Sequence, residues 1–368
     1  MSKKRFLFAL LLLLSILPIG STLACGGLFC QNVPVDQQAE RIIFAVNDDG
    51  TITAYVQINY TGSAEDFSWV VPVPSVPEVD VAEMATFDEI QRLTDPIIVS
   101  PQIPECAPIP VPAMAMSDSA EADGEVQVLA SGTAGPFAFD VITSDNPEAL
   151  VVWLVDNNYR ITDAMKPLIA VYTEEGLFFL AMKLQPDEGV QDIQPVVMTY
   201  ISDHPMIPIR LTAVAAVPDM SIYTWIFADE QAFPVNYAHP TIPDEQIRGD
   251  FFQFGGTNYL SVVDQTVDLY AGRAFITEYA QPTDEFEQLF PQDELLKVLV
   301  RDYDYVTRFF GRMSPKDMTV DPTFDFSANL QNVDNLRDLT GIDPEIFWGC
   351  QDVPVQIEYD PEVVPEGF

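Results

Sequence analysis

The sequence is poor in the residues from which hydrolytic active sites are built. It contains two histidines, His204 and His239, and no Gly-x-Ser-x-Gly segment that would present a serine nucleophile. A serine hydrolase needs a nucleophile, a base and an orienting acid within hydrogen-bond reach of one another. Each histidine precedes a proline in a segment typical of a loop. We therefore interpret both as structural or exposed residues.

Metal and nucleotide motifs are also missing. The sequence has no Cys-x-x-Cys pair, no His-Glu-x-x-His segment, and no glycine-rich phosphate or dinucleotide motif. The acidic turn at 47–50 lacks the alternating oxygen ligands and closing Glu of an EF-hand loop. No cofactor is predicted. A Ca²⁺-stabilised adhesion module remains a third, unsupported alternative, which predicts a melting temperature that falls on chelation.

Basic residues are scarce. The chain has 17 Lys and Arg against 56 Asp and Glu, which gives a formal net charge of -39. Nucleic acids and anionic membrane surfaces are bound through basic patches. The composition therefore argues against nucleic-acid binding and favours an acidic protein that stays soluble outside the cell.

Long hydrophobic runs are absent except at the N-terminus. Three basic residues at 3–5 precede an apolar run from Phe6 to Leu17, and small residues follow up to Ala24. This order is typical of a secretory signal peptide, and the run is shorter than the ~20 residues of a spanning helix. We predict a signal peptide at 1–24 and a secreted or extracytoplasmic mature chain without a transmembrane helix. In that location we expect a cell-surface or extracellular partner of unknown identity.

The four cysteines all follow the predicted cleavage point. They are Cys25, Cys30, Cys106 and Cys350, and export to an oxidising compartment favours disulfides among them. Four cysteines allow three connectivities, which the sequence leaves open. A lipoprotein anchored at Cys25 is less favoured, because acylation of Cys25 would leave an odd number of thiols.

Regular β-structure is evident from the first ordered segment. Apolar residues alternate with polar ones at 52–60, an apolar run at 42–46 precedes them, and Asn47-Asp48-Asp49-Gly50 separates the two runs. This pattern predicts an antiparallel hairpin. A third strand at 67–73 ends in Pro72-Val73-Pro74. The two prolines cannot donate the ladder hydrogen bonds, so we expect this end to lie at a sheet edge or to leave the sheet.

The rest of the chain mixes helix and strand patterns. Asn146 and Asn258 are predicted to begin helices, and Gly176 and Gly272 to end them. We predict an α+β fold with mainly antiparallel sheets and a few packed helices. Helices are expected near 87–93, 147–157, 166–175, 259–270 and 293–300; further strands are expected near 126–129, 137–142, 177–184, 195–201, 209–217, 222–227, 274–279 and 303–312.

Several short motifs resemble a known family when they are taken in order. They are Cys25-Gly26-Gly27, Phe29-Cys30, Ala39-Glu40-Arg41, Phe67, Trp69-Val70, Pro72-Val73-Pro74, Trp153-Leu154, Tyr159, the run 205–212, Thr307-Arg308, Ser314-Pro315, Met318-Thr319, Asp321-Pro322 and Phe324. In this order the chain resembles the bacterial exported family called domain of unknown function 2330. The resemblance implies export and one domain of family length, and carries no assigned activity or catalytic residue.

The resemblance and the composition divide the chain into segments. We predict a family-like domain at 25–326, which includes a loop rich in Pro, Ala and Ser at 100–124 that Cys106 fixes through a disulfide. The acidic, proline-containing extension at 327–368 lies outside the resemblance, and we expect it to be loosely ordered from Gln351 onward.

Candidate catalytic carboxylates are numerous, since 56 acids make close pairs unavoidable. Glu278, Asp321 and Asp325 are conceivable members of such a pair, although Asp321-Pro322 more simply begins a turn. The tryptophans at 69, 153, 225 and 348 are candidates for an aromatic groove. We interpret Trp69 and Trp153 as core residues and Trp348 as a shield for a disulfide at Cys350.

These observations favour a non-catalytic binding or structural module of the cell envelope or extracellular space. The alternative is a secreted hydrolase that uses carboxylates or a histidine. A concave pocket with converging titratable groups would favour the hydrolase, whereas a filled core with dispersed acids would favour the module.

Overall fold

A computed structural model describes residues 37–58, 67–106, 127–351, 353–365 and 368. Its strands are β1 Gln37–Val46, β2 Thr51–Ile58, β3 Ser68–Val73, β4 Glu78–Val81, β5 Ile97–Val99, β6 Gln127–Ala134, β7 Phe137–Thr143, β8 Phe178–Leu184, β9 Val196–Ile201, β10 Ala216–Ala228, β11 Ala232–Pro234, β12 Ile276–Pro282, β13 Tyr305–Met313, β14 Phe324–Phe326 and β15 Leu336–Asp338. Its α-helices are α1 Met84–Thr94, α2 Pro147–Asp156, α3 Lys166–Glu174, α4 Ile209–Thr212, α5 Tyr259–Leu269, α6 Thr283–Glu287, α7 Glu294–Asp302 and α8 Pro344–Phe347.

The main sheet has seven strands in the order β12-β13-β10-β1-β2-β9-β4. The predicted hairpin is present as β1 and β2, with Ile42 opposite Val56. All neighbouring strands of this sheet are antiparallel except β1 and β10, which are parallel with Ile42 opposite Thr224. The prediction of mainly antiparallel sheets in an α+β fold is confirmed.

A second sheet has four strands in the order β3-β8-β7-β6. The strand that carries Pro72 is its edge strand, as the missing amide donors predict. Two small two-stranded sheets, β11-β14 and β15-β5, are also present.

The two faces of β1 bury different parts of the core. Ile42 and Phe44 belong to the hydrophobic cluster that includes the second sheet, whereas Ile43 and Ala45 belong to the cluster that includes α1, α6 and α7. Successive strand residues point to opposite faces, so a strand with apolar residues on both must be covered twice. The main sheet is therefore the middle layer, between the second sheet and these helices.

Most of the predicted helix boundaries are confirmed. The Asn146 side chain accepts hydrogen bonds from the amides of Glu148 and Ala149 at the start of α2. Gly176 and Gly272 follow α3 and α5 with positive φ angles of 77° and 78°, which glycine adopts without steric cost. Asn258 is the N-cap residue of α5, as predicted, but its side chain makes no capping hydrogen bond: it accepts from the Arg248 amide and donates to the Gln246 carbonyl.

The predicted strand at 209–217 is also wrong. Residues Ile209–Thr212 form the single helical turn α4, and β10 begins at Ala216 and runs unbroken to Ala228. The alternation of Ile209 and Leu211, both fully buried, fits either conformation. Tertiary contacts decide the outcome, because both the amide and the side chain of Arg210 bind Asp321.

The C-terminal extension packs on the rest of the molecule. Strand β15 pairs with β5, and a disulfide joins Cys350 to Cys106 with the two Cα atoms 5.9 Å apart. Cys25, Cys30 and residues 107–124 of the predicted loop lie outside the described residues, as does the predicted signal peptide. The boundary between domain and extension stays a prediction.

The tail at residues 353–365 has the largely irregular backbone that was expected of it. This segment has one short 3₁₀ turn at Pro361–Val363 and no strand or α-helix. It is nevertheless held by hydrogen bonds: the Tyr270 hydroxyl and the Asp360 amide lie 2.9 Å apart, and the His239 amide donates to the Val363 carbonyl at 3.1 Å.

No helix formed by the described residues is both long and apolar enough to cross a membrane.

Candidate functional site

A polar cleft lies at the outer edge of β12, the last strand of the main sheet. Two segments cover this edge. The Thr277 amide donates to the Pro240 carbonyl at 3.0 Å, and farther along β12, Ala280 exchanges two backbone hydrogen bonds with Val333. The cleft is lined by both covering segments and by Thr277 between them, and has a volume of about 410 Å³. This volume falls in the range of small-molecule sites.

Of the two histidines in the sequence, His239 lines the cleft. Its ring centroid lies 6.0 Å from that of Phe233. Burial lowers the pKa of His239 below its ordinary value of 6.5, because a charged imidazolium would lose its hydration. At neutral pH the ring is uncharged and offers one N–H donor and one acceptor nitrogen.

The charges in the cleft are largely compensated. The guanidinium of Arg337 donates to Asp244 Oδ1 at 2.8 Å and also to the Ile242 carbonyl. The carboxylate of Asp334 accepts the Leu336 amide at 2.9 Å. Each acid therefore has a donor from the protein, and no described residue lining the cleft is a serine or a cysteine.

Amide side chains form the wall next to β13. The Tyr305 hydroxyl lies 2.8 Å from Asn332 Oδ1 and 3.1 Å from Gln231 Oε1, and Asn332 Nδ2 donates to Gln281 Oε1 at 3.0 Å. Both Gln231 and Asn332 line the cleft. The network fixes their orientation, so their remaining donors and acceptors are held in place for a ligand.

A buried ion pair lies next to the cleft, one residue beyond Thr277. Glu278 occupies a bulge of β12, since Thr277 pairs with Phe309 and Tyr279 with Arg308. Its Oε2 lies 2.9 Å from Arg308 Nη2, both side chains are 1% exposed, and the Tyr259 hydroxyl donates to Oε1 at 2.7 Å. A bulge re-aims a side chain, and here it places the Glu278 carboxylate against a buried guanidinium.

Further groups surround the Arg308 guanidinium on the helix side of the sheet. It donates to Asp95 at 2.6 Å and to the Thr94 hydroxyl at 3.1 Å, and it lies 5.5 Å from the ring centroids of Tyr223 and Trp225. Burial raises the pKa of Glu278, and the charge of Arg308 and the Tyr259 hydroxyl counter this rise. Glu278 is thus a structural acid rather than one open to substrate.

The other sequence candidates lie apart from the cleft. His204 is half exposed, with Nδ1 3.9 Å from Asp325 Oδ1, beyond hydrogen-bond distance. Asp321 is buried, and it accepts from the Tyr172 hydroxyl at 2.9 Å and from Arg210 Nε at 2.8 Å. Its interpretation as a simple turn residue was incomplete, because its carboxylate joins α3 to α4. The three candidate carboxylates belong to separate contacts.

The tryptophans do not form a common groove. Trp69, Trp153 and Trp225 are 6%, 7% and 0% exposed, which agrees with the core interpretation of the first two. Trp348 is stacked on Phe251 at 4.5 Å, and its Nε1 donates to the Pro101 carbonyl, five residues before Cys106.

A second, smaller cavity lies between the main sheet and β3. It has a volume of about 30 Å³, and Glu40 is the one charged residue in a lining that includes Phe44, Trp69 and Tyr200. Several residues that carry the family resemblance meet there. They are Glu40, Trp69, Pro72, Val73, Pro74, Met206 and Pro208.

Metal binding finds no support in the described part of the chain. No group of three or more His, Cys, Asp or Glu side chains within it could hold a metal ion.

Sequence reasoning missed Arg337, Asp244 and Glu40. The first two carry no motif, and they meet only because the extension returns to the edge of β12. A signal for Glu40 did exist: it precedes Ile42 and Phe44 at the strand period of two, which places a carboxylate on the inward face of β1.

No curated protein matches this chain, and no solved structure matches it. A family model described as an uncharacterised protein conserved in bacteria matches residues 19–325. These residues include the whole cavity at Glu40 and end before the part of the extension that lines the polar cleft. The match covers most of the chain and confirms the resemblance seen in its motifs: the protein belongs to the bacterial family DUF2330.

Proposed function

We propose that this protein is a non-catalytic binding module of the cell envelope or extracellular space, and that it takes a small, uncharged, hydroxyl-rich ligand such as a saccharide in the cleft at the edge of β12. One observation carries the proposal: the cleft gathers oriented amides, a neutral imidazole and compensated charges around about 410 Å³. Sugar hydroxyls both donate and accept hydrogen bonds, as these groups do.

The export part of the proposal rests on two properties of the chain. The N-terminal segment has the order of a signal peptide, Cys106 and Cys350 form a disulfide, and disulfides persist in oxidising compartments. Fractionation of expressing cells with N-terminal sequencing tests it. We expect a processed chain outside the cytoplasm, and an unprocessed cytoplasmic chain would contradict export.

Calorimetric titration of the purified protein with cellobiose, maltose and chitobiose tests the ligand. Asn332→Ala should weaken binding at least tenfold, because it removes an amide that lines the cleft. The substitution should not alter the fold, because Asn332 is exposed. Asn329→Ala is the matched control, because Asn329 is also exposed on the same segment and does not line the cleft. Equal effects of the two substitutions, or no binding of any of these sugars, would contradict the proposal.

A histidine-dependent hydrolase is the second candidate, and the neutral ring of His239 in the cleft favours it. A neutral imidazole can accept a proton from water. Release of monosaccharide from these disaccharides, lost in His239→Gln, would establish hydrolysis. Binding of these disaccharides without their hydrolysis would favour the non-catalytic binding module.

A further inference from the structure

The cavity at Glu40 is a distinct site on the opposite face of the main sheet from the Glu278–Arg308 pair. Its walls come from the two sheets: Ile42, Phe44 and Tyr200 lie on the main sheet, and Trp69 and Val71 lie on the edge strand β3. Most of the lining is buried, and the partly exposed residues are Pro74, Met206 and Pro208. These three residues therefore mark the mouth of the cavity.

Glu40 brings an uncompensated polar group into this apolar space. The side chain is 7% exposed, and no described residue donates a hydrogen bond to its buried Oε2. Buried carboxylates in proteins are normally paired or hydrogen-bonded, because an unpaired one loses its hydration without replacement. Within the described part of the chain Oε2 thus lacks a donor, and a donor is what a ligand would supply.

The lining and the size of the cavity restrict that donor. About 30 Å³ holds roughly two water molecules, so a whole organic molecule does not fit but the end of a chain does. The rings of Phe44, Trp69 and Tyr200 line the same space, and aromatic rings attract cations that have left water. A cation at the end of an aliphatic chain would donate to the carboxylate, contact the aromatic rings and fit the narrow volume.

We propose that this cavity binds the primary ammonium group at the end of an aliphatic chain, with Glu40 as its counter-ion. A free alkylamine and a lysine side chain both carry this group. Three N–H donors can meet the carboxylate while the neighbouring methylenes contact the apolar wall. The inference does not rest on the saccharide cleft, since the two sites are lined by different residues.

The protonation of Glu40 supports the geometry. Burial raises the pKa of Glu40 from 4.5 to about 7, so part of the population is protonated at neutral pH. The other titratable residue of the lining is Tyr200, whose pKa burial also raises, so Tyr200 stays neutral. An arriving ammonium favours the ionised carboxylate and displaces its proton.

The test is calorimetric titration of the wild-type protein with n-butylammonium chloride and with Nα-acetyl-lysine amide, which separate the two sources. We expect binding of at least one probe that tightens at least threefold from pH 6 to pH 8. Near pH 7 it should release a fraction of a proton, seen as a dependence of the heat on the buffer's ionisation enthalpy. The absence of proton release would overturn the proposal without the need for any variant.

Two variants and a neutral probe complete the design. Glu40→Gln keeps the shape of the side chain and should weaken ammonium binding at least tenfold. Glu78→Gln removes the same charge from an exposed position of β4 and should have no effect. Three outcomes would show that Glu40 does not recognise the cation. They are ammonium binding by Glu40→Gln as tight as that of the wild type, a loss of affinity in Glu78→Gln as large as that in Glu40→Gln, and binding of n-butanol as tight as that of n-butylammonium.

Discussion

Glu40 and Glu278 are both buried on strands of the main sheet, but on opposite faces and in opposite circumstances. Glu278 has Arg308 at 2.9 Å and the Tyr259 hydroxyl at 2.7 Å. The Oε2 atoms of both acids lack a hydrogen bond of good geometry from the described residues, but Glu40 has no cation in the position that Arg308 takes beside Glu278. A buried acid with partners fixes the structure around it, whereas one without partners lowers stability unless something else supplies the donor. The comparison separates a structural carboxylate from a candidate for binding.

Removing Arg308 would turn Glu278 into a second unpaired acid. We expect Arg308→Met to lower the free energy of unfolding by about 3–5 kcal/mol, the usual cost of leaving a buried charge without its partner. Urea denaturation at pH 7 measures it.

The double variant Arg308→Met/Glu278→Gln is the control. It should recover much of the loss, because the unpaired charge is gone. A double variant no more stable than Arg308→Met would show that the loss comes from packing around Tyr223 and Trp225 rather than from charge.

Neutralising Glu40 should have the opposite effect and raise the free energy of unfolding. Below pH 4.5 the carboxyl is protonated in the folded and the unfolded chain; between pH 4.5 and about 7 the unfolded chain loses the proton first, which favours unfolding. Glu40→Gln removes this loss and should be more stable than wild type by about 3 kcal/mol at pH 8, with little difference at pH 4.5.

Thermal or urea unfolding of both proteins across this pH range measures the difference. Glu78→Gln, at an exposed position, is the matched control and should shift stability little at any pH. A wild-type advantage at pH 8 would mean that Glu40 already has a compensating partner.

The smallest expected effect on stability concerns the hydrogen bond from Tyr259 to Glu278. Tyr259→Phe deletes the hydroxyl that donates to Oε1 and leaves the ring, so we expect a loss of about 2 kcal/mol in urea denaturation. Tyr359→Phe is the control, because Tyr359 is 50% exposed. No loss in Tyr259→Phe would show that Arg308 alone satisfies Glu278.

Local patterns predicted the parts of the fold that depend on neighbours in the chain. The turn at 47–50, the cap at Asn146 and the edge position of Pro72 follow from backbone preferences and missing amide donors, and all three are present. The helical turn at Ile209–Thr212 could not be predicted in this way. Its residues are buried whichever conformation they adopt, and the deciding contact is to Asp321, far along the chain.

The candidate sites show the same limit. His239 was identified as a candidate but assigned a structural or exposed position, because most of the residues that line the cleft with it come from the extension, far along the chain. Glu278 was one conceivable acid among many, and the bulge that directs it to Arg308 leaves no mark in the alternation. The inward position of Glu40 could be predicted from strand parity, whereas the lack of a donor to its Oε2 among the described residues depends on the side chains of β3 and β9.

The parallel pairing of β1 with β10 has a consequence for how the chain folds. β1 is flanked by β2, its immediate successor, and by β10, which begins at Ala216. The middle of the main sheet thus cannot close until more than half of the chain is available, and contacts so distant in sequence slow folding. During that interval the apolar faces of the β1–β2 hairpin stay uncovered, so a folding helper or a low chain concentration should raise the yield of native protein.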